Sequence, residues 1–472
     1  MNKHEDIAKA LKSRLSELNT QSEGSRGHSA RFADWAALDK RTQTIVAATA
    51  IERAHRLEPR LNAFVTIEDY LGTLPRRGPL ADLPYAAKDL FITLSRLPTA
   101  GLASGIDFAF NGPAEALRRL DLAGACRIGF TAMTELAYEP SGYNSVRGRT
   151  HNPWNFDFVT GGSSSGSAVA TASGTVVAAL GSDTGGSLRI PAHCCGVTAW
   201  KPTFGIVSVS GALPLAPTLD VIGLLTRSAN DMLAVFDALA GDRLPSAWTS
   251  INRAIVLDDV LETAESSVRR ACGQGIDAME LCGVKLDRVK ALSAIEVIDV
   301  HSLIVMQAEA ARVHYSRLDD STLDATLRRR LSKGLAIDDA TLAASLAARS
   351  SLVAEFENTI LANADAALLP VMAIRTPPAV ETDPASPAFR ARTLYDLSRF
   401  TRFVNMLGFP AVAIPVGFDD RGLPVAMQIV GRPGSDRSLL ALAAAVQAKT
   451  DWHARVPTGV ADLVADMEGL TA

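Results

Sequence analysis

Residues 161 to 187 read GGSSSGSAVATASGTVVAALGSDTGGS, and no other segment limits the possible folds as strongly. Seven of these residues are Gly and seven are Ser. Such a composition normally makes a flexible linker. Here it encloses an apolar strand, Val176 to Leu180, and a small-residue helix, Ala168 to Ala172, so two Gly-Gly-Ser turns flank a packed unit. Glycine lets backbone approach another group closely. Consecutive free N–H groups in such turns form a concavity for negative charge. Two turns, each ending in Ser, point to a nucleophile beside an oxyanion site.

The rest of the chain supplies the frame. Short apolar runs at 127–130, 175–180, 254–257, 366–369, 411–416 and 425–430 alternate with helix-like stretches at 114–123, 230–239, 295–316, 342–362 and 439–448. That alternation predicts an α/β sheet covered by helices. The runs at Ala411 and Val425 are joined by Asp419-Asp420-Arg421-Gly422, a hairpin-like spacing that makes the sheet mixed. The first 75 residues read as helical: Ile7, Leu11 and Leu15 share a face, and a second run from Thr42 to Leu57 is closed by Pro59. The expected organisation is an N-terminal helical segment, 1–75, packed on an α/β domain, 76–472. Two stretches read as loops, Gln21 to Arg31 and Arg375 to Pro387.

Lys and Arg number 47 against 51 Asp and Glu, a net charge of −4. This argues against a nucleic-acid backbone binder. Five Cys in 472 residues form no disulfide framework. With no apolar stretch of spanning length and no leader-like N-terminus, the expectation is a reduced, cytoplasmic protein without membrane association.

Several chemistries fail on spacing. Gly162-Ser163-Ser164-Ser165-Gly166 fits the G-x-S-x-G nucleophile elbow in form, but that reading needs a downstream acid and then a His base. His193, His301, His314 and His453 do not sit in such a context. No S-x-x-K, no G-x-x-x-x-G-K-[ST], no H-E-x-x-H and no Cys-x-x-Cys occurs, which removes a Ser-Lys β-lactamase arrangement, a P-loop and the usual metal sites. Lysine is scarce, and Lys88 lies in Leu83-Pro84-Tyr85-Ala86-Ala87-Lys88-Asp89-Leu90-Phe91, an apolar setting unlike that of a solvated lysine. A buried lysine means a salt bridge, which Asp89 would supply, or a depressed pKa. The residues alone leave both readings open.

With these motifs in view, the chain resembles the amidase signature family of Ser-Ser-Lys hydrolases. The resemblance rests on Lys88 in PYAAKDLF, on Gly161 to Ser167, and on Gly181 to Pro191. It continues through Lys201-Pro202-Thr203, Leu219-Asp220, Asn405, Pro410, Gly417 and the strand from Gly422 to Arg432. It implies a single large α/β/α sandwich with a central mixed sheet. It implies Ser187 as nucleophile, Ser163 after a cis peptide bond as bridging serine, and Lys88 as base. The amides of Thr184, Gly185, Gly186 and Ser187 would form the oxyanion hole, supported by Ser164, Asp183 and Arg189. Phe130 stands where relatives often carry Lys. Tyr138, Tyr143 and Trp154 fall in segments that line the pocket in relatives. No metal or organic cofactor enters this scheme. The expected function is an amidohydrolase that cleaves a C–N bond of a small amide, carbamate or acyl-amine. The alternative is a glutaminase-type A subunit of a tRNA-dependent amidotransferase. The expected partners are a small-molecule substrate and no nucleic acid, and the resemblance admits a homodimer.

The proposed base must be neutral to take a proton. Bringing a lysine from its usual pKa of about 10.4 to 7 or 8 takes roughly 4 kcal/mol. Desolvation by Tyr85, Ala86, Ala87 and Phe91 is the expected source.

Overall fold

The computed structural model describes residues 34–72, 74, 76–103, 105–106, 108–243 and 249–461. Within them run eleven strands: β1 (Phe64–Ile67), β2 (Pro84–Lys88), β3 (Cys126–Thr131), β4 (Ala178–Asp183), β5 (Thr198–Lys201), β6 (Val221–Thr226), β7 (Arg253–Leu257), β8 (Lys285–Val289), β9 (Ala366–Pro370), β10 (Ala411–Phe418) and β11 (Pro424–Gly431). They form one sheet in the order β1-β3-β2-β4-β6-β5-β10-β11-β9-β7-β8.

The central strands of the sheet are buried on both faces because alternate side chains along them enter different cores. In β2, Tyr85 and Ala87 join one buried cluster and Ala86 another. In β10, Val412, Ile414 and Val416 join the first of these, while Ala413 joins the second. This explains the near-continuous apolar runs seen in the sequence. The sheet is mixed, as the sequence implies. β2 is parallel to both β3 and β4, and β4 is antiparallel to β6. The hairpin of β10 and β11 pairs Ala411 with Val430, and its Asp419 carboxylate accepts the amides of Arg421 and Leu423.

The N-terminal reading needs correction where it can be compared. The run from Thr42 is two helices, Lys40–Ala48 and Ala50–Leu61, hinged at Thr49, and Pro59 lies inside the second. Burial of Leu57 and Leu61 carries this helix past the proline to Asn62, which turns out in the left-handed conformation (φ 47°). Phe64–Ile67 then forms the edge strand β1 against β3, so the segment up to residue 75 is not wholly helical. The helix expected around Ile7 to Leu15 and the loop at Gln21 to Arg31 lie outside the described residues.

Strands β2 and β4 end side by side, Ala87 opposite Leu180. Their carboxyl ends carry Lys88 and Asp183. In open α/β sheets that edge is where ligands bind. The helix Ser165–Ala172 is buried along its whole length, and its small residues let it lie close to the sheet. The Ser167 hydroxyl donates to the Leu180 carbonyl at 2.9 Å, fixing this helix to β4.

Candidate active site

Lys88, the last residue of β2, is completely buried. Its Nζ lies 2.6 Å from Ser163 Oγ and 2.9 Å from Ser182 Oγ. Burial pulls its pKa down to about 7, while the carboxylates of Asp183 and Asp220 pull the other way. The ion pair that Asp89 offered does not form with Lys88. Asp89 instead pairs with Arg96 at 2.6 Å and takes the Thr99 hydroxyl. Of the two readings left open by the sequence, the structure therefore gives a lysine without a contacting carboxylate.

Ser163 follows a cis peptide bond from Gly162, as the resemblance implied. The turn is held on one side by the Gly162 N–H donating to the Pro140 carbonyl at 2.7 Å. On the other, a Cβ on Gly161 would meet the backbone of Pro191 at 2.9 Å, and Gly161 has φ +70°. Ser164 donates its hydroxyl to the Ser182 carbonyl and its amide to the Ser187 carbonyl at 3.2 Å each. That second bond ties the two Gly-Gly-Ser turns together.

Ser187 lines a narrow cleft of about 60 Å³ with Thr184, Gly185, Tyr138 and Leu215. The Lys88–Ser163 link is closed as a hydrogen bond, whereas the hydroxyl of Ser187, a residue lining the cleft, is bonded to neither. The turn from Thr184 to Ser187 is braced from behind. Asp183 accepts the amides of Gly186 (2.8 Å) and Leu188 (3.1 Å), and Thr401 donates its hydroxyl to the Gly185 carbonyl at 2.6 Å. The Gly186 amide is thus spent on Asp183. The amides of Thr184, Gly185 and Ser187 donate to no described residue. A Cβ at Gly186 (φ +129°) would strike Thr401 at 2.3 Å, so this position requires glycine.

Asp183 and Arg189 form a fully buried bidentate pair at 3.0 and 3.1 Å. Burial opposes ionisation of Asp183, but the Arg189 guanidinium outweighs it and holds the carboxyl at about 2. Arg189 also donates to Gln428, the Thr401 carbonyl and Asn405, so this charge is paired and saturated as a buried guanidinium must be.

Sequence reasoning missed Ser182, Thr401 and Asp220 as partners of this site. Ser182 had a signal, since it stands one residue before Asp183 on the strand beside β2. Thr401 comes from more than 200 positions away, and nothing local marks it.

Other candidates fall elsewhere. His193 is buried, its Nδ1 accepts the Ala426 amide at 3.2 Å, and burial lowers it to about 4. Burial pushes the thiols of Cys194 and Cys272 up to about 12, and all five cysteines are free. Trp154 is core, donating to the Cys195 carbonyl. Phe130 is buried beneath the Arg96 guanidinium. Tyr138 lines the Ser187 cleft, and Tyr143 lines a neighbouring cavity reached also by Thr382 and Pro384 of the loop-rich segment. Among the described residues, no group of three His, Cys, Asp or Glu is placed to hold a metal, and no helix is long and apolar enough to cross a membrane.

Comparison with known proteins places this geometry. Residues 45–440 match the family model described as Amidase. The A subunit of the Glutamyl-tRNA(Gln) amidotransferase from Marinomonas sp. (strain MWYL1) is 32% identical over 86% of this chain and 93% of its own length. An amidase of known crystal structure superposes with a TM-score of 0.78 at 31% identity, covering 86% of this chain and 96% of that one. The corresponding A subunit from Thermotoga maritima superposes at 0.76 with 27% identity, covering 91% and 98%. These relatives overturn the expectation of a small-molecule substrate with no nucleic acid: proteins alike over nearly their whole length are components of a tRNA-directed enzyme. Net charge reports direct phosphate contact by one chain, and so does not bear on a likeness to components of a tRNA-directed enzyme.

Proposed function

This chain belongs to the amidase family, and from that premise we propose that it hydrolyses a carboxamide through an acyl-enzyme on Ser187, as a glutaminase-type A subunit. In this reading neutral Lys88 takes the proton of Ser163, which takes that of Ser187 as the Ser187 oxygen attacks the carbonyl carbon. The amides of Thr184, Gly185 and Ser187 receive the oxyanion, each worth about 3 kcal/mol in the transition state. The proton returns along the same path to the leaving nitrogen, the C–N bond breaks, and ammonia departs. Water then cleaves the Ser187 ester. The protein supplies Ser164, Asp183 and Arg189 to hold the two turns in register.

The observation that carries this reading is the buried contact of Lys88 with Ser163, at a pKa of about 7. The wider likeness to amidotransferase A subunits supports the glutaminase form. So does the cleft, where Arg330 and Lys333 offer positive charge to a substrate carboxylate, the third lining cation, Arg402, being held by Asp299. Five unpaired cysteines fit a cytoplasmic setting.

One observation favours a second reading, an amidase that works without further subunits. Arg330 and Lys333 line the cleft beside an Arg402 already paired with Asp299, and no carboxylate is among the lining residues to answer an α-ammonium group. That suits an amide bearing an acid but no amine. Ammonia release from glutamine, measured alone and with the other subunits of a tRNA-dependent amidotransferase, separates the two. Turnover of glutamine that requires the subunits supports the first. Turnover by the chain alone of carboxamides lacking an amino group, with glutamine inert in every mixture, overturns it. In either case Arg330→Ala is expected to raise KM about tenfold for a carboxylate-bearing amide, the loss of one charge-assisted contact.

A further inference from the structure

We propose that Asp220 is a positioning residue that locks the oxyanion turn to a second segment lining the cleft. Its carboxylate sits at the end of the turn leading into β6 and is buried. One oxygen accepts the Thr184 hydroxyl at 2.6 Å. The other accepts the amides of Leu215 at 2.9 Å and Ala216 at 3.1 Å. Thr184 and Leu215 both line the Ser187 cleft, from separate segments of the chain. A single carboxylate therefore joins the strand end that bears the amide donors to the loop at Leu215 and Ala216.

The chemistry of that bond set is specific. Every contact to Asp220 is a donor, and a carboxylate is acceptor-only. Asparagine would keep the shape but turn an NH₂ group toward the donors of Leu215 and Ala216, or toward the Thr184 hydroxyl. Burial raises the Asp220 carboxyl to about 6, against the pull of the Thr184 hydroxyl and the two amides, so it remains a carboxylate where Lys88 is neutral. The geometry it fixes matters at the transition state. The Thr184 amide donates to no described residue, and a donor displaced by about 1 Å costs up to about a hundredfold in rate. Ground-state binding of substrate, which does not use the oxyanion donors, is left unchanged by this role.

This inference rests on Ser187 as the nucleophile, and labelling by a serine-directed fluorophosphonate reports on that separately. If the wild-type chain is not labelled at Ser187, the functional reading itself fails. If it is labelled, Thr184→Val decides the inference. The variant keeps the Thr184 amide and removes only the hydroxyl. It is expected to lower kcat about tenfold to a hundredfold with KM within about threefold, and Thr184→Ser is expected to restore most of the loss. Asp220→Asn should act in the same way, and Thr184→Val added to it should cost nothing more, because both remove one link. If Asp220→Asn does not fold, by its melting transition, the Val and Ser variants at 184 still decide. Unchanged kcat in Thr184→Val, a rise in KM alone, or multiplying effects in the double variant would overturn the proposal.

Discussion

Among the described residues two lysines are completely buried, and burial pulls both to a pKa of about 7. Lys88 faces two hydroxyls, Ser163 at 2.6 Å and Ser182 at 2.9 Å. Lys201 faces two carbonyls, Phe409 at 2.6 Å and Pro202 at 3.0 Å. A carbonyl only accepts, so Lys201 can lend protons to its neighbours and receive none. A hydroxyl both donates and accepts, so Lys88 can draw a proton from Ser163. A depressed pKa therefore marks a buried amine, and the partner atoms decide whether it can act as a base. Lys201 stitches β5 to the turn just before β10. Lys88 ends a strand beside an open cleft.

The largest effect that tests this contrast is loss of turnover. Lys88→Ala and Ser187→Ala are each expected to reduce kcat by about four orders of magnitude or more while the chain stays folded. Lys201→Met, with the same net charge change as Lys88→Ala, should stay within about tenfold of wild type. Equal losses at 88 and 201 in a steady-state assay would erase the distinction. Ser163→Ala comes next, with a small residual activity of roughly a hundredth or less, since Ser187 would then lack its relay.

The pH dependence sharpens the comparison. Activity should rise as pH climbs through about 7, because Lys88 must lose its proton to serve. In Lys201→Met that limb should not move. Stability gives the smallest effect. Between the folded value near 7 and the unfolded value near 10.5, the unfolded chain holds a proton that the folded lysine does not. Raising pH across that window favours the fold by about 1.4 kcal/mol per pH unit for each buried lysine. Below pH 7 the penalty is complete, and above 10.5 it is gone. Urea unfolding from about pH 7.5 to 9.5 should show one such contribution missing from Lys201→Met. An unchanged slope would mean that Lys201 keeps its proton in the fold.

The residues around each lysine also explain what the sequence did and did not reveal. Val412 to Val416, and Val425 to Val430 apart from Gln428, are apolar runs because both sheet faces are covered, and such runs read plainly as strands. β8 (Lys285–Val289) was invisible because it is an exposed edge strand with Lys285, Asp287 and Arg288 in five residues. β1 was hidden because four residues are too few for a period to show beside the helix preceding them. Ser163, Ser187 and Lys88 stood out through glycine-rich turns and a misplaced charge, features that are local in the chain. The bracing of Thr184 by Asp220 and of Gly185 by Thr401 joins residues 36 and 216 positions apart, and no local pattern encodes it. The likeness to subunits of a tRNA-directed enzyme escaped for a similar reason: a net charge of −4 describes one chain taken by itself.

The central claim is that Lys88 loses its proton near pH 7 and is an uncharged amine above it. Nitrogen-15 NMR of the lysine side chains, followed from about pH 5 to 11 and assigned by the signals lost in Lys88→Met and Lys201→Met, reads this directly. The Lys88 resonance should titrate with a midpoint near 7, in the wild type and in Lys201→Met alike. A midpoint near about 10, the value of a lysine in water, would leave no base for Ser163 and contradict the account.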